Sequence, residues 1–186
     1  DDAGNVTTKS IYVSNIDDIA PTGNLAQTPT AWTNGNVTLN LTGVADSGGS
    51  GVDSIRLPNG TYVTGTSASY SVSANGSYSF VIYDNAGNST TKTIAVGNID
   101  DIAPTGNLAQ TPTGDTNGNV TLNLTSIADT GGSTYYRTRL PNGSYVTTTT
   151  ASETVTTNGT YSFVIYDDAG NSTTKSITVS NIDKID

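Results

Sequence analysis

A long internal repeat dominates the sequence. The string NIDDIAPTGNLAQTPT begins at Asn15 and recurs at Asn98, which gives a period of 83 residues. Residues 15–97 and 98–180 align without gaps and are identical at 61 of 83 positions. Such a chain folds as consecutive copies of one unit, so the fold must close within 83 residues.

Partial copies flank the two complete repeats. Residues 1–14 match 167–180 with two substitutions, which predicts that they form the terminal strand of a preceding repeat. Residues 181–186, NIDKID, open a following repeat in the same way. The predicted domains are therefore 15–97 and 98–180, and we expect the natural protein to continue beyond both flanks.

Apolar and polar residues alternate over short runs within each copy, and no segment has helical periodicity. Asn59-Gly60 and Asn75-Gly76 predict tight turns, because both residue types tolerate positive φ. The sequence predicts an all-β chain of Greek-key sandwiches with about seven strands per repeat. In the first repeat the predicted strands are Gly23–Thr28, Val37–Thr42, Ser54–Leu57, Tyr62–Thr64, Ser69–Ser73, a strand through Tyr78, Phe80 and Ile82, and Thr90–Val96.

The sequence also resembles a known family. The strings NIDDIAPTGNLAQTPTAWTNGNVTLNLT, LPNGTYV and YSFVIYDNAGNSTTK look like the bacterial immunoglobulin-like (Ig-like) tandem repeats of Gram-positive cell-surface and adhesin proteins. The resemblance covers both complete repeats and their flanks. It implies tandem Ig-like sandwiches, at an extracellular or bacterial cell-surface location, that act as spacers or adhesive modules. One fold serves many functions, so the resemblance does not choose between these roles.

Composition argues against several classes of function. The chain has no histidine and no cysteine, so it lacks the commonest general base and a thiol nucleophile, and we expect no enzyme. Its net charge of −9 argues against a nucleic-acid partner, which needs clustered lysine and arginine. No apolar segment is long enough to suggest a membrane span.

Aspartates recur at three places in each repeat: before the first strand, in the loop after the second, and at the turn before the last. In an Ig topology these places share one pole, and converging carboxylates are ligands that Ca²⁺ prefers. The position is also similar to the acidic linkers of cadherin-type repeats, where calcium stiffens the joint. The alternative is that these aspartates only accept turn N–H bonds. The candidate calcium ligands are Asp17, Asp18, Asp46, Asp84, Asp100, Asp101, Asp129 and Asp167.

The two repeats differ most where residues 51–55, GVDSI, are replaced by residues 134–138, TYYRT. Tyr135, Tyr136 and Arg137 are candidate contacts for a glycan or a protein, because tyrosine and arginine favour recognition. The alternative is that a tyrosine fills the core volume that is left when Ile55 is lost.

Three hypotheses for function follow. The first is a structural spacer or stalk of a surface protein, stiffened by calcium, whose partners are the neighbouring repeats of the same chain. The second is an adhesive module that binds a glycan or a host protein. The third is a self-assembling extracellular filament in which residues 1–14 pair with a neighbouring molecule by strand exchange.

Overall fold

The computed structural model describes residues 1–184 of the chain. Each repeat contributes seven strands. In the first repeat they are β1 (Thr22–Thr28), β2 (Val37–Ala45), β3 (Val52–Arg56), β4 (Tyr62–Val63), β5 (Ala68–Val72), β6 (Gly76–Asp84) and β7 (Ser89–Val96). In the second they are β8 (Thr105–Thr111), β9 (Val120–Ala128), β10 (Tyr135–Arg139), β11 (Tyr145–Val146), β12 (Ala151–Val155), β13 (Gly159–Asp167) and β14 (Ser172–Val179).

The prediction of an all-β fold is confirmed. Residues 1–184 contain no helix, and so no helix that is long and apolar enough to cross a membrane. The predicted strand ends differ from the observed ones by three residues at most. The largest difference is at β2, which continues past Thr42 to Ala45.

Within residues 1–184, strands of each repeat pair only with strands of the same repeat. The first repeat forms the sheets β4-β3-β6-β7 and β1-β2-β5, and the second forms β11-β10-β13-β14 and β12-β9-β8. Pairing is antiparallel at β10–β13, β13–β14, β12–β9 and β8–β9. Two antiparallel sheets per repeat fit sandwich domains, and the Greek-key path between them stays a prediction.

Alternation of side chains produces the core of the second repeat. Val120, Leu122 and Leu124 on β9 face Phe163 and Ile165 on β13, and all five are fully buried. Because side chains point alternately to the two faces of a strand, the threonines and asparagines between these residues stay near the surface. The first repeat buries the equivalent residues, including Leu39, Leu41, Phe80 and Ile82.

The chain divides into two compact units. The first comprises Asp1–Ala26, Leu39–Tyr70 and Ser77–Ile94. The second comprises Gln27–Thr38, Ser71–Gly76 and the chain from Ala95 onward. The second unit therefore contains the second repeat together with one end of the first.

The flanking segments carry little regular structure. No strand is assigned over residues 1–14, where Ile11 is 89 % and Tyr12 90 % exposed. That these residues form the terminal strand of a preceding repeat stays a prediction. At the other flank, residues 185–186 of the predicted segment 181–186 lie outside the described residues.

Candidate functional site

Each repeat brings three aspartates together. Asp17, Asp46 and Asp84 form one triad, and Asp100, Asp129 and Asp167 form the other. Within each triad one carboxylate oxygen per residue lies within 4.8 Å of the others. These are six of the eight candidate calcium ligands. Asp18 and Asp101, the other two, are exposed and belong to neither triad.

Asp100 is held by a backbone amide at each oxygen of its carboxylate. Its Oδ1 accepts the N–H of Ile102 at 3.0 Å, and its Oδ2 accepts the N–H of Ser133 at 2.9 Å. Burial alone would raise the pKa of Asp100, but hydrogen bonds from the Ser133 hydroxyl and from these two amides outweigh it, so the pKa lies below its ordinary value. A Cβ at Gly131 would collide with this carboxylate, so the loop needs glycine there.

Asp167 closes the turn between β13 and β14. Its Oδ1 accepts the N–H of Asn171 and its Oδ2 accepts the Asn171 side-chain amide, both at 2.7 Å. The same amide donates to the carbonyl oxygen of Asp100 at 2.9 Å. The turn is thereby tied to the segment before β8. Asp167 accepts turn N–H bonds, as the alternative interpretation of these aspartates expects.

The first triad has the same pattern of hydrogen bonds. Asp17 accepts the N–H groups of Ile19 and Ser50, each at 3.0 Å. A hydrogen bond from the Ser50 hydroxyl and one from the Ile19 amide lower the pKa of Asp17. Asn88 links the Asp84 turn to the carbonyl oxygen of Asp17 at 3.1 Å. Each triad therefore fastens three loops of its own repeat together through neutral donors.

A second feature lies beside the second triad, where the two repeats meet inside the second compact unit. Thr33 pairs with Ile99 in a parallel bridge. The N–H of Thr33 donates to the carbonyl oxygen of Asn98, and the N–H of Asp100 donates to that of Thr33, both at 3.0 Å. The first residues of the second repeat are thus hydrogen-bonded to the backbone of the first repeat.

The side chain of Asn98 fixes this joint. Its Nδ2 donates to the carbonyl oxygens of Pro29 at 3.1 Å and Ala31 at 2.7 Å, and its Oδ1 accepts the side-chain amide of Gln27 at 2.9 Å. Asn98 is only 9 % exposed, so its amide is satisfied by protein rather than by water. We call this arrangement the asparagine bracket.

Asn75 adds a reciprocal pair of bonds. Its Nδ2 donates to the carbonyl oxygen of Ile99 at 2.8 Å, and its Oδ1 accepts the Ile99 N–H at 2.9 Å. Ile99 is 8 % exposed. The side chain of Asn75 therefore pairs with the linking segment in the way that a neighbouring strand would.

Two further contacts complete the joint. The N–H of Asn34 donates to the carbonyl oxygen of Ala169 at 3.0 Å. The ring of Trp32, the one tryptophan of the chain, lies 3.3 Å from the place that a Cβ of Gly132 would occupy. The indole therefore rests directly on the backbone of the loop before β10.

The same joint recurs 83 residues later. Asn181 donates to the carbonyl oxygens of Pro112 at 3.1 Å and Gly114 at 2.7 Å, and accepts from Gln110 at 3.0 Å. Thr116 pairs with Ile182, and Asn158 holds Ile182 as Asn75 holds Ile99. Sequence reasoning missed the bracket, although the recurring Asn of the NID string and the recurring Gln were visible.

The predicted ligand-contact residues lie in different environments. Tyr135 packs against the core, and its hydroxyl contacts Thr138 Oγ1 at 3.2 Å and donates to the Val146 carbonyl oxygen at 3.0 Å. Thr138 is fully buried at the position that Ile55 holds in the first repeat. Tyr135 thus takes up core volume, which agrees with the interpretation that a tyrosine fills the space left by the loss of Ile55.

Tyr136 is exposed, and Arg137 beside it is half-buried. Tyr136 is 49 % exposed, and the Arg137 guanidinium lies 5.0 Å from its ring centre. The same guanidinium lies 4.4 Å from the ring centre of Tyr145 and 5.5 Å from that of Tyr166. The second repeat therefore presents a cationic and aromatic surface, which we call the tyrosine–arginine patch.

Comparison with known protein families matched none of them, and comparison with curated proteins found no relative. The Ig-like resemblance therefore stays an expectation from the sequence.

Proposed function

We propose that the chain is a segment of a structural spacer, in which successive repeats are fixed end to end by the asparagine bracket. The observation that carries this proposal is the recurrence of one joint at Asn98 and Asn181, with main-chain partners at equivalent positions. A repeat that ends by holding the first residues of the next repeat has the local geometry that a stalk needs. The partners in this proposal are the neighbouring repeats of the same chain.

The joint is unlike a flexible linker. Flexible linkers are solvated and make few contacts, whereas Asn98, Ile99 and Asp100 are all buried. Each hydrogen bond contributes a net stabilisation of about 0.5 to 1.5 kcal/mol, and several act together at this joint. Free rotation about the joint would expose these groups, so the spacer resists bending at that point.

The setting that we propose is extracellular, on a bacterial cell surface. It rests on the resemblance of NIDDIAPTGNLAQTPT and YSFVIYDNAGNSTTK to surface-protein repeats, and on a polar, acidic composition. A spacer is useful there because it holds a distal domain away from the cell.

Distance measurement between spin labels tests the proposal. The chain has no cysteine, so Thr91→Cys and Thr174→Cys place one label on an exposed position of each repeat. We expect one narrow distance distribution, and a broader one when Asn98→Ala is added. Asn181→Ala is the matched control, because it removes the same bracket at the far end of the second repeat. A distribution that is already broad in the labelled parent would contradict the spacer.

Calcium at the aspartate triads is a further part of the proposal. Three carboxylates within 4.8 Å supply the hard oxygen donors that Ca²⁺ takes, and the second triad lies beside the joint that would be stiffened. We expect millimolar Ca²⁺ to raise the melting temperature, and Asp129→Asn to reduce that rise while Asp101→Asn leaves it. If neither Ca²⁺ nor EDTA moves the melting temperature, the calcium part is wrong and the spacer is unaffected.

The tyrosine–arginine patch favours a second candidate function, an adhesive role on the second repeat. Exposed tyrosine and arginine dominate many recognition surfaces. We expect a glycan-array or pull-down signal that is lost in Tyr136→Ala and kept in Asp53→Ala, the equivalent change in the first repeat. A signal that is unaffected by Tyr136→Ala would contradict a role for the patch.

A further inference from the structure

A bulge in β10 places the tyrosine–arginine patch. The pairing of β10 with β13 shifts register between Tyr135 and Arg137, so two residues stand between Tyr135, which packs against the core, and the buried Thr138. Because side chains alternate between the two faces of a strand, Arg137 and its cross-strand partner Tyr166 belong to the face opposite the core. Bulges are common next to active sites, where they re-aim a side chain.

The positive charge of Arg137 is held by rings and not by an acid. Its guanidinium carbon lies 4.4 to 5.5 Å from the ring centres of Tyr136, Tyr145 and Tyr166. Its Nε is buried without a hydrogen-bond partner, and within residues 1–184 no carboxylate pairs with the guanidinium. Aromatic contacts use the flat face of a guanidinium, so the N–H donors at its edge remain available to a ligand.

The pair of tyrosines in the patch is common to both repeats. The ring centres of Tyr145 and Tyr166 are 6.5 Å apart, and those of the equivalent Tyr62 and Tyr83 are 6.1 Å apart. Tyr62 is 60 % exposed and Tyr145 is 49 % exposed. The pair is therefore exposed both in a repeat that is followed by a complete repeat and in a repeat that is preceded by one.

The charge of the patch is specific to the second repeat. The bulge recurs in β3, where Asp53 and Ser54 stand in place of Tyr136 and Arg137. The exchange removes one negative charge and adds one positive charge at a single place, in a chain whose net charge is −9. An anion would therefore be repelled at this place in the first repeat and attracted in the second.

Hydroxyl groups cover the neighbouring part of the same sheet face. Ser162 Oγ lies 2.8 Å from Ser176 Oγ, and Thr160 Oγ1 lies 3.0 Å from Thr178 Oγ1. Ser162 and Thr160 share the face of Tyr166, because positions of equal parity on β13 point the same way. Sugar hydroxyls can donate to such groups and accept from them.

The position of the patch favours a saccharide over a peptide. Extended peptides add to a sheet edge and helical ones lie in an apolar groove, where the backbone or an apolar face is recognised. Arg137 and Tyr166 lie on β10 and β13, the two inner strands of the sheet β11-β10-β13-β14. A face of rings, hydroxyls and one uncompensated cation suits a sugar that carries an acid.

We propose that the tyrosine–arginine patch binds an acidic glycan, one whose sugar rings carry carboxylate groups. A carboxylate would accept hydrogen bonds from the edge of the Arg137 guanidinium, and the C–H face of a sugar ring would pack on the exposed rings of Tyr136 and Tyr145. Arg139, exposed two residues further along β10, offers a second cation to the next acidic sugar. The inference rests on the adhesive role proposed above and names its class of ligand.

Titration followed by NMR tests this inference on the full chain. The probe is a tetrasaccharide that contains glucuronic acid, and the matched probe is the same tetrasaccharide after reduction of its carboxylates to alcohols. We expect the acidic probe to shift the amides of Tyr136, Arg137 and Tyr166, and to bind at least about tenfold more tightly than the neutral probe, as loss of a charge-assisted hydrogen bond implies. Added NaCl should weaken binding of the acidic probe only.

Exchange of residues between the repeats supplies matched variants. Tyr136→Asp with Arg137→Ser gives the second repeat the residues of the first, and we expect it to abolish binding of the acidic probe. Asp53→Tyr with Ser54→Arg builds the patch on the first repeat, and we expect a second site that shifts the amide of Tyr83. Because this variant gains binding, a loss of folding cannot imitate its result.

Four results would overturn the inference. They are equal binding of the two probes, no binding of the acidic probe, binding that survives Tyr136→Asp with Arg137→Ser, and an oligoglutamate peptide that binds at the patch as tightly as the acidic probe. Equal binding of the two probes would leave the adhesive role in place and remove only its acidic ligand. An array signal that is unaffected by Tyr136→Ala would contradict the adhesive role itself.

Discussion

Asn98 makes three side-chain hydrogen bonds although it is a small residue in a linking segment. Aspartate could not replace it, because a carboxylate cannot donate to the carbonyl oxygens of Pro29 and Ala31. Leucine could not either, because the two carbonyls and the Gln27 amide would lose their partner at a part-buried place. The chemistry of one amide therefore determines how this joint is held.

Gly132 and Gly49 form a matched pair for testing the Trp32 contact. Both have positive φ, +119° and +101°, so alanine strains both by a comparable amount. Only Gly132→Ala also places a methyl group 3.3 Å from Trp32. We expect Gly132→Ala to cost about 1 kcal/mol more in urea unfolding than Gly49→Ala, and to shift Trp32 fluorescence. Equal costs and an unchanged emission maximum would show that the indole does not rest on Gly132.

Asp100 should make stability depend on pH. Its pKa is lowered in the folded chain, so the folded state favours the ionised form. The stabilisation is present above the unfolded pKa of about 3.9 and is lost as the pH falls through the lower folded pKa. In EDTA, we expect the urea midpoint to fall between pH 5 and pH 2, in roughly the window those pKa values set, and Asp100→Asn to flatten that fall.

Asp101→Asn is the control for that measurement, since Asp101 is exposed and lies outside the triad. A pH profile for Asp100→Asn that coincides with the parent profile would argue against a role for this carboxylate.

At the scale of single elements, β3 and β10 show how one fold accepts two cores. Ile55 fills its site in the first repeat, whereas Thr138 and Tyr135 share the equivalent site in the second. The tyrosine brings a hydroxyl into the interior, and Thr138 and the Val146 carbonyl oxygen satisfy it. Tyr135 and Thr138 have thus replaced the aliphatic pair Val52 and Ile55, and the two hydroxyls have hydrogen-bond partners.

A double-mutant cycle tests this exchange. Thr138→Ile alone removes the Tyr135 partner and adds bulk, which should cost about 1 to 3 kcal/mol. Tyr135→Val alone leaves a cavity and should also destabilise. Together they restore the residues of the first repeat, so we expect the double variant to be more stable than the sum of the single effects indicates, by about 1 kcal/mol or more. Additive unfolding free energies would mean that the two sites are independent.

Sequence patterns predicted the elements better than the joint. Val37, Leu39 and Leu41 alternate so clearly that β2 and its buried face follow from period two alone. The convergence of Asp17, Asp46 and Asp84 followed from an assumed topology in which three loops share a pole. The asparagine bracket did not follow, because Gln27 and Asn98 are 71 residues apart and have no local pattern. Such a contact between distant polar residues appears only once the sheets are in place.

At the scale of the whole molecule, the compact units do not follow the repeat boundary. Residues 27–38 and 71–76 of the first repeat belong with the second repeat. The amides of Thr33 and Asn34 bond to Asn98 and Ala169, so their protection depends on the second repeat as well as on the first.

Hydrogen exchange should reveal this dependence. Phe163→Leu weakens the core of the second repeat by about 1 to 2 kcal/mol. We expect faster exchange at the amides of Thr33 and Asn34, and unchanged exchange at Asn85, whose amide bonds to Gly51 within the first unit. If Thr33 and Asn34 keep their rates, the two repeats open independently of each other.

The bracket has a genetic consequence. It contacts main-chain carbonyls, so Ala31 and Trp32 can become Gly114 and Asp115 without loss of the Asn181 bonds. A recombination event that duplicates or deletes one 83-residue unit leaves each remaining joint with a complete set of partners. Unequal crossing-over can therefore change the length of such a gene in whole repeats, while substitutions accumulate elsewhere in each copy.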